Sequence, residues 1–94
     1  MNKYEAIVII DPSVDEEGMK KLNSKFTDII NSNGKVAEVK DLGKKTLAYK
    51  IKKQTEGFYE QFNFEADPSS IAELERNLRI TDEVMKFMVI KIDE

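Results

Sequence analysis

Hydrophobic and polar positions along the chain switch between a two-residue and a three-to-four-residue period, and the switches divide it into six elements. Residues 3 to 10 are apolar and β-branched, the pattern of a strand covered on at least one face. Asp11 and Pro12 end it. Val14, Met19, Leu22, Phe26, Ile29 and Ile30 then recur at helical steps, which predicts an amphipathic helix with one buried stripe. Ser13 stands three residues before Glu16, the spacing of a capping box, and Asn33 and Gly34 supply a closing residue, with Gly34 expected in the left-handed conformation.

Residues 35 to 53 predict a long strand, interrupted at Asp41, Leu42 and Gly43 where a glycine implies a bulge or bend. Turn chemistry at Gln54, Thr55, Glu56 and Gly57 precedes Phe58, Tyr59, Phe62 and Phe64, so the two strands form an antiparallel hairpin. Asp67 and Pro68 are an N-cap and a first helical residue, and Ile71, Leu74 and Leu78 give the apolar face of a shorter helix. Residues 84 to 92 are the last strand. The order βαββαβ is that of an α+β, ferredoxin-like fold: a four-stranded antiparallel sheet with two helices on one face. Right-handed crossovers place the first and third strands at its centre and the second on an edge.

With 94 residues there is room for one core, so residues 1 to 94 are expected to form a single domain. The absence of cysteine removes disulfides, thiolate metal sites and thiol nucleophiles, and the absence of histidine removes the commonest general base and metal ligand. The start, from Met1 to Glu5, lacks a cleavable signal, and no apolar run approaches the roughly 20 residues that span a bilayer. A cytoplasmic binding protein without catalytic residues, cofactor or metal is the expectation.

Charge sharpens this picture because it is unevenly distributed. Residues 35 to 53 hold seven lysines against two acids, residues 54 to 75 hold six acids and no base, and residues 76 to 92 hold four bases against two acids, within a net charge of −3. Lys44, Lys45, Lys50, Lys52 and Lys53 on an edge strand can serve simply to block strand-to-strand aggregation. Arg79, Lys86 and Lys91 add a second basic region, which favours phosphate recognition. A chain with a pI near 5.1 is poorly suited to holding nucleic acid unaided, and an RNA footprint shared with a basic partner fits better.

Other chemistries fit less well. Gly57 and Phe58 invite comparison with an RNA-stacking strand, but Glu60 stands where the second stacking ring would be, and Phe58, Phe62 and Phe64 share a parity that suits core packing. Residues 11 to 15 carry acids and no arginine, which argues against an acyl-phosphate hydrolase on this fold. The acids at 15 to 17 and 82 to 83 match helix-start and turn chemistry.

Three stretches carry a resemblance to a known family: Lys3, Tyr4 and Glu5 leading the first strand; residues 42 to 53 with Glu56, Gly57, Phe58 and Tyr59; and residues 78 to 89, beginning Leu78, Arg79, Ile80. Over essentially its whole length the chain resembles ribosomal protein six of the bacterial small subunit. The resemblance implies a non-enzymatic protein that binds the central domain of small-subunit ribosomal RNA together with the basic ribosomal protein eighteen, with no membrane or DNA partner. It places Lys3, Tyr4, Arg79, Lys86 and Lys91 on the RNA side and Lys44, Lys45, Tyr49 and Lys50 on the side of the protein partner.

The chain departs from the family pattern at three places. Asn2 replaces a basic residue of some members, and Lys50 stands where proline often follows the Leu-Ala-Tyr triplet, leaving that edge more open to pairing. The end at Glu94 implies that contacts made by a tail in other members are reduced. The alternative reading is a protein-binding or small-molecule-sensing module of the same fold that does not touch RNA.

Overall fold

A computed structural model describes residues 1–51 and 53–92. Its elements are β1 (Asn2–Ile10), α1 (Glu16–Asn33), β2 (Gly34–Ile51), β3 (Gln54–Ala66), α2 (Pro68–Ile80) and β4 (Val84–Lys91). The strands form one antiparallel sheet in the order β2-β3-β1-β4, so β3 and β1 are central and β2 lies on an edge, the ferredoxin-like arrangement expected from the pattern.

Strand alternation decides which face is covered. Tyr4, Ala6, Val8 and Ile10 of β1 share a face with Phe62 and Phe64 of β3, and onto it pack Leu22, Phe26 and Ile30 of α1 and Leu74 and Leu78 of α2. Phe26 meets Phe62 edge to face at 6.2 Å, and Tyr4 stacks on Phe64 at 5.6 Å. Each fully buried phenyl contributes about 2–3 kcal/mol of apolar transfer energy, so this face supplies most of the stability. Met19 and Ile29 complete the stripe of α1 predicted from spacing, and Val14, which precedes the helix, packs against the same core.

A smaller cluster forms on the other face. Leu47 of β2 packs with Ile9 and Met85, and Ile51 and Tyr59 lean against them. The register of β2 against β3 shifts between Thr46 and Ile51, and the arm beyond Thr46 lies over the face that the helices leave open. The bulge expected at residues 41 to 43 is present: the register shifts between Asp41 and Gly43, Gly43 has a φ of 82°, and its N–H donates to Asp41 Oδ1 at 2.8 Å.

Three local expectations are corrected. The N-cap of α1 is Asp15, whose Oδ1 accepts from the Gly18 N–H at 2.7 Å, and not Ser13. Ser13 is held instead by Asp11, whose Oδ1 accepts from both its N–H and its hydroxyl at 2.8 and 2.7 Å, so the helix begins two residues later than a Ser13 cap would place it. Gly34 is extended, with φ −174° and ψ −151°, rather than left-handed. It passes directly into β2, and a side chain there would collide with the carbonyl oxygen of Glu65 and with Ala66 on β3. The hairpin turn also comes earlier than Gln54–Gly57: Ile51 pairs with Gln54, Lys53 takes a φ of 67°, and Gly57 is a buried strand residue beside Ile9. Lys52, Asp93 and Glu94 lie outside the described residues, so the sequence reading of Lys52 has no structural counterpart.

Candidate nucleic-acid and partner interface

Lys86 and Arg79, expected to meet RNA, and Lys45 and Tyr49, expected to meet a protein partner, come together at one corner. Lys86 on β4 sits beside Ile9, which is paired on its other side with Tyr59, so Lys86 and Tyr59 flank Ile9 on the open face. The β2 arm brings Tyr49 over this point, and the Lys86 ammonium donates to the Tyr49 hydroxyl at 2.8 Å, although β2 and β4 are opposite edges of the sheet. The hydrogen bond first, and the lysine charge second, hold the Tyr49 phenol below its usual range, and the same contact raises Lys86.

Alternation along β2 places Lys44 and Lys45 on different sides of β3. The Lys44 ammonium lies 5.5 Å from the Phe58 ring centre, and that of Lys45 lies 5.6 Å from the Tyr59 ring centre. Arg79, at the end of α2, lies 5.8 Å from the Phe87 ring and shares with Lys86 a cleft of about 310 Å³. Lys45, Tyr49, Tyr59 and Lys86 are therefore gathered over an apolar floor that includes Ile7, Ile9 and Met88, with Arg79 adjacent across β4. A lysine lying over an aromatic ring can still donate N–H groups to an incoming acceptor.

Lys3, Tyr4 and Lys91 lie elsewhere. Lys91 pairs across the ladder with Tyr4, so Lys91 and Lys3 occupy the opposite end of the sheet from Lys86. Lys3 contributes its carbonyl to an N–H bond from Ile92 at 2.9 Å. Tyr4 is 7% exposed and stacked in the main core, so its ring is not available on an RNA-facing surface; its parity with Ala6, Val8 and Ile10 is the reason. Lys50 is exposed in the stretch of β2 where the register against β3 shifts, between Thr46 and Ile51.

Sequence reasoning noted Glu60 only as a residue that cannot stack and missed its burial. It shares the parity of Phe58, Phe62 and Phe64, and it is 1% exposed beneath α1. Burial, with the opposing Asp41 carboxylate as the second cause, pushes its carboxyl up to about 7, while Asn23 acts in the other direction. The parity was the available signal. Among the described residues no group of three or more acidic or imidazole and thiol ligands could hold a metal ion, and no helix is long and apolar enough to cross a membrane.

The arrangement is a ferredoxin-like sheet with a cationic and aromatic corner on an otherwise acidic chain. The family model for ribosomal protein S6 matches residues 3–91. The small ribosomal subunit protein bS6 of Symbiobacterium thermophilum is 47% identical over 92 residues, covering 97% of both chains, and that of Alkaliphilus oremlandii is 42% identical over the full length of both. The crystal structure of 30S ribosomal protein S6 from Thermotoga maritima superposes with a TM-score of 0.92 at 33% identity, covering 97% of this chain and 87% of that one. The chain belongs to the ribosomal protein S6 family.

Proposed function

We propose that this chain is a structural constituent of the small ribosomal subunit that binds small-subunit ribosomal RNA jointly with ribosomal protein eighteen, supporting assembly of the central domain. It acts in the cytoplasm as a single-domain binding protein, without catalysis. What supports this reading, beside family membership, is the corner where the β2 arm meets β4. Lys86 and Arg79 serve the phosphates there, while Tyr49 and Lys50 on the arm, with Lys44 and Lys45 just before it, are offered to the protein partner. The contact between Tyr49 and Lys86 joins the two surfaces, so binding of one partner orders part of the site for the other. Lys3 and Lys91 form a second phosphate contact at the far end of the sheet.

An overall acidic chain is expected to bind RNA weakly alone and tightly once a basic partner shares the phosphate load. Filter binding to a small-subunit central-domain RNA, with and without ribosomal protein eighteen across a salt series, tests this. Removing one phosphate contact with Lys86→Gln should lower the salt slope by about 1. Affinity that is the same without the partner, and indifferent to salt, would rule the proposal out.

A further inference from the structure

A cleft of about 390 Å³ opens between α1 and the β2–β3 edge of the sheet. Three carboxylates line it: Glu16 from the first turn of α1, Asp41 from β2 and Glu60 from β3. Asp41 and Glu60 are direct partners across the ladder, a like-charge pairing, once both are ionised, that a cation would relieve. Glu60 is 1% exposed and its Oε2 has no hydrogen-bond partner. Asn23, on the same wall, has its buried Oδ1 equally without a partner. Native interiors rarely leave two such acceptors unmet side by side.

The missing group is thus a donor, and the chemistry of the walls narrows its type. Lys20 also lines the cleft, yet it is exposed and makes no ion pair with these acids among the described residues. The acceptors come from three separate elements, so one ligand must present several N–H groups in different directions. A guanidinium offers five donors in a plane, whereas an ammonium offers three from one point. Met19 and Phe58 supply apolar walls for the stem of such a side chain. Phosphate is repelled by the three acids, which excludes RNA as the ligand. The cleft lies beside β2, an edge strand whose unpaired backbone groups can receive an incoming chain.

We propose that this cleft binds the guanidinium of an arginine side chain presented by a protein partner. The inference goes beyond the RNA-binding reading and does not depend on it, because none of the residues proposed to serve phosphate, Lys3, Arg79, Lys86 and Lys91, lines the cleft.

The test is an NMR titration of the free chain at about pH 8, where Glu60 is mainly ionised. The probes are a blocked Gly-Arg-Gly peptide, its lysine counterpart and agmatine. The arginine peptide should shift the amides of Asn23, Asp41 and Glu60 saturably, and the lysine peptide should bind at least about tenfold more weakly. Glu60→Gln should weaken the arginine peptide by a similar factor. If that variant disturbs the fold, Asp41→Asn, on an exposed position, should weaken it severalfold. Absence of saturable shifts, equal binding of the lysine peptide, or indifference to both substitutions overturns the proposal. Agmatine binding far more tightly than the peptide overturns the protein source in favour of a free small molecule. Sedimentation of Glu60→Gln with small ribosomal subunits is read separately, so failure here and failure of the ribosomal reading are told apart.

Discussion

The two sides of the Gly43 bulge in β2 present opposite electrostatic problems. Before the bulge, Asp41 faces the buried Glu60 beneath α1, where acceptors outnumber donors. Beyond it, Lys45 and Lys86 lie exposed, each with a phenol ring at hand. Charge in water is cheap to keep and ready for a partner, whereas charge under a helix has lost its hydration and depresses stability until something neutralises it. A net charge of −3 describes neither place. The same division appears in the apolar residues, with the main core on the helix face and a small cluster holding the β2 arm on the other.

The largest expected effect separates those two clusters. Phe62→Ala removes a ring that is 1% exposed and edge-on to Phe26, and should cost about 3–5 kcal/mol in urea unfolding. Leu47→Ala in the small cluster should cost about 2 kcal/mol, near the lower limit for buried leucine, because few neighbours surround the cavity. It should also free the β2 arm and abolish the contact between Tyr49 and Lys86, which Phe62→Ala leaves in place while the fold survives. Equal costs would mean that the open-face cluster is as much a part of the core as the helix face.

The buried carboxylate gives the next effect, and its sign is fixed by the direction of the shift. In the folded chain Glu60 titrates at about 7, above its ordinary value of 4.5, so between these values the native state holds a proton that the unfolded chain has released. Stability therefore falls as pH rises through that window, and the full penalty is present above pH 7. The Asp41 carboxylate from β2 adds to it, while the hydrogen bond from Asn23 of α1 opposes it, and Glu16 and Lys20 line the same cleft. Glu60→Gln should be more stable than the parent at about pH 8 by roughly 2 kcal/mol and nearly equal to it at about pH 4. Paired urea titrations at the two pH values check this; a parent that gains on Glu60→Gln as pH rises would reject it.

A smaller effect decides between two readings of one helix start. Asp15→Ala should cost about 1 kcal/mol, since its carboxylate caps the Gly18 N–H, whereas Ser13→Ala should cost less because Asp11 still organises the turn. Both residues carry the right chemistry, and the choice depends on which oxygen reaches which N–H. That is why the sequence located α1 but misplaced its cap. Periods of two and of three to four residues were enough to place all six elements and the strand order. Tyr4 and Glu60 show the limit of reading residues by type. Each was assigned by what its side chain can do, and each is placed by parity with its strand neighbours instead. The β2 arm was legible only as a basic run, because its course over the open face depends on Leu47 meeting Ile9 and Met85, contacts distant in sequence.

The smallest effect tests whether the cationic corner is held by charge rather than by packing. Tyr49 is 64% exposed, and its phenol is lowered chiefly by the hydrogen bond from Lys86. Lys86→Met should return the Tyr49 titration to its ordinary value near 10, read from ring resonances of carbon-labelled tyrosine, and leave the midpoint of urea unfolding essentially unchanged. Added salt should move the parent in the same direction, because screening weakens the charge at exposed positions. If Lys86→Met lowered the unfolding midpoint as far as Leu47→Ala does, the corner would be a structural clasp for the arm. An unchanged midpoint with a shifted Tyr49 leaves both side chains free to exchange each other for an incoming phosphate or protein group, which is what an assembly surface requires.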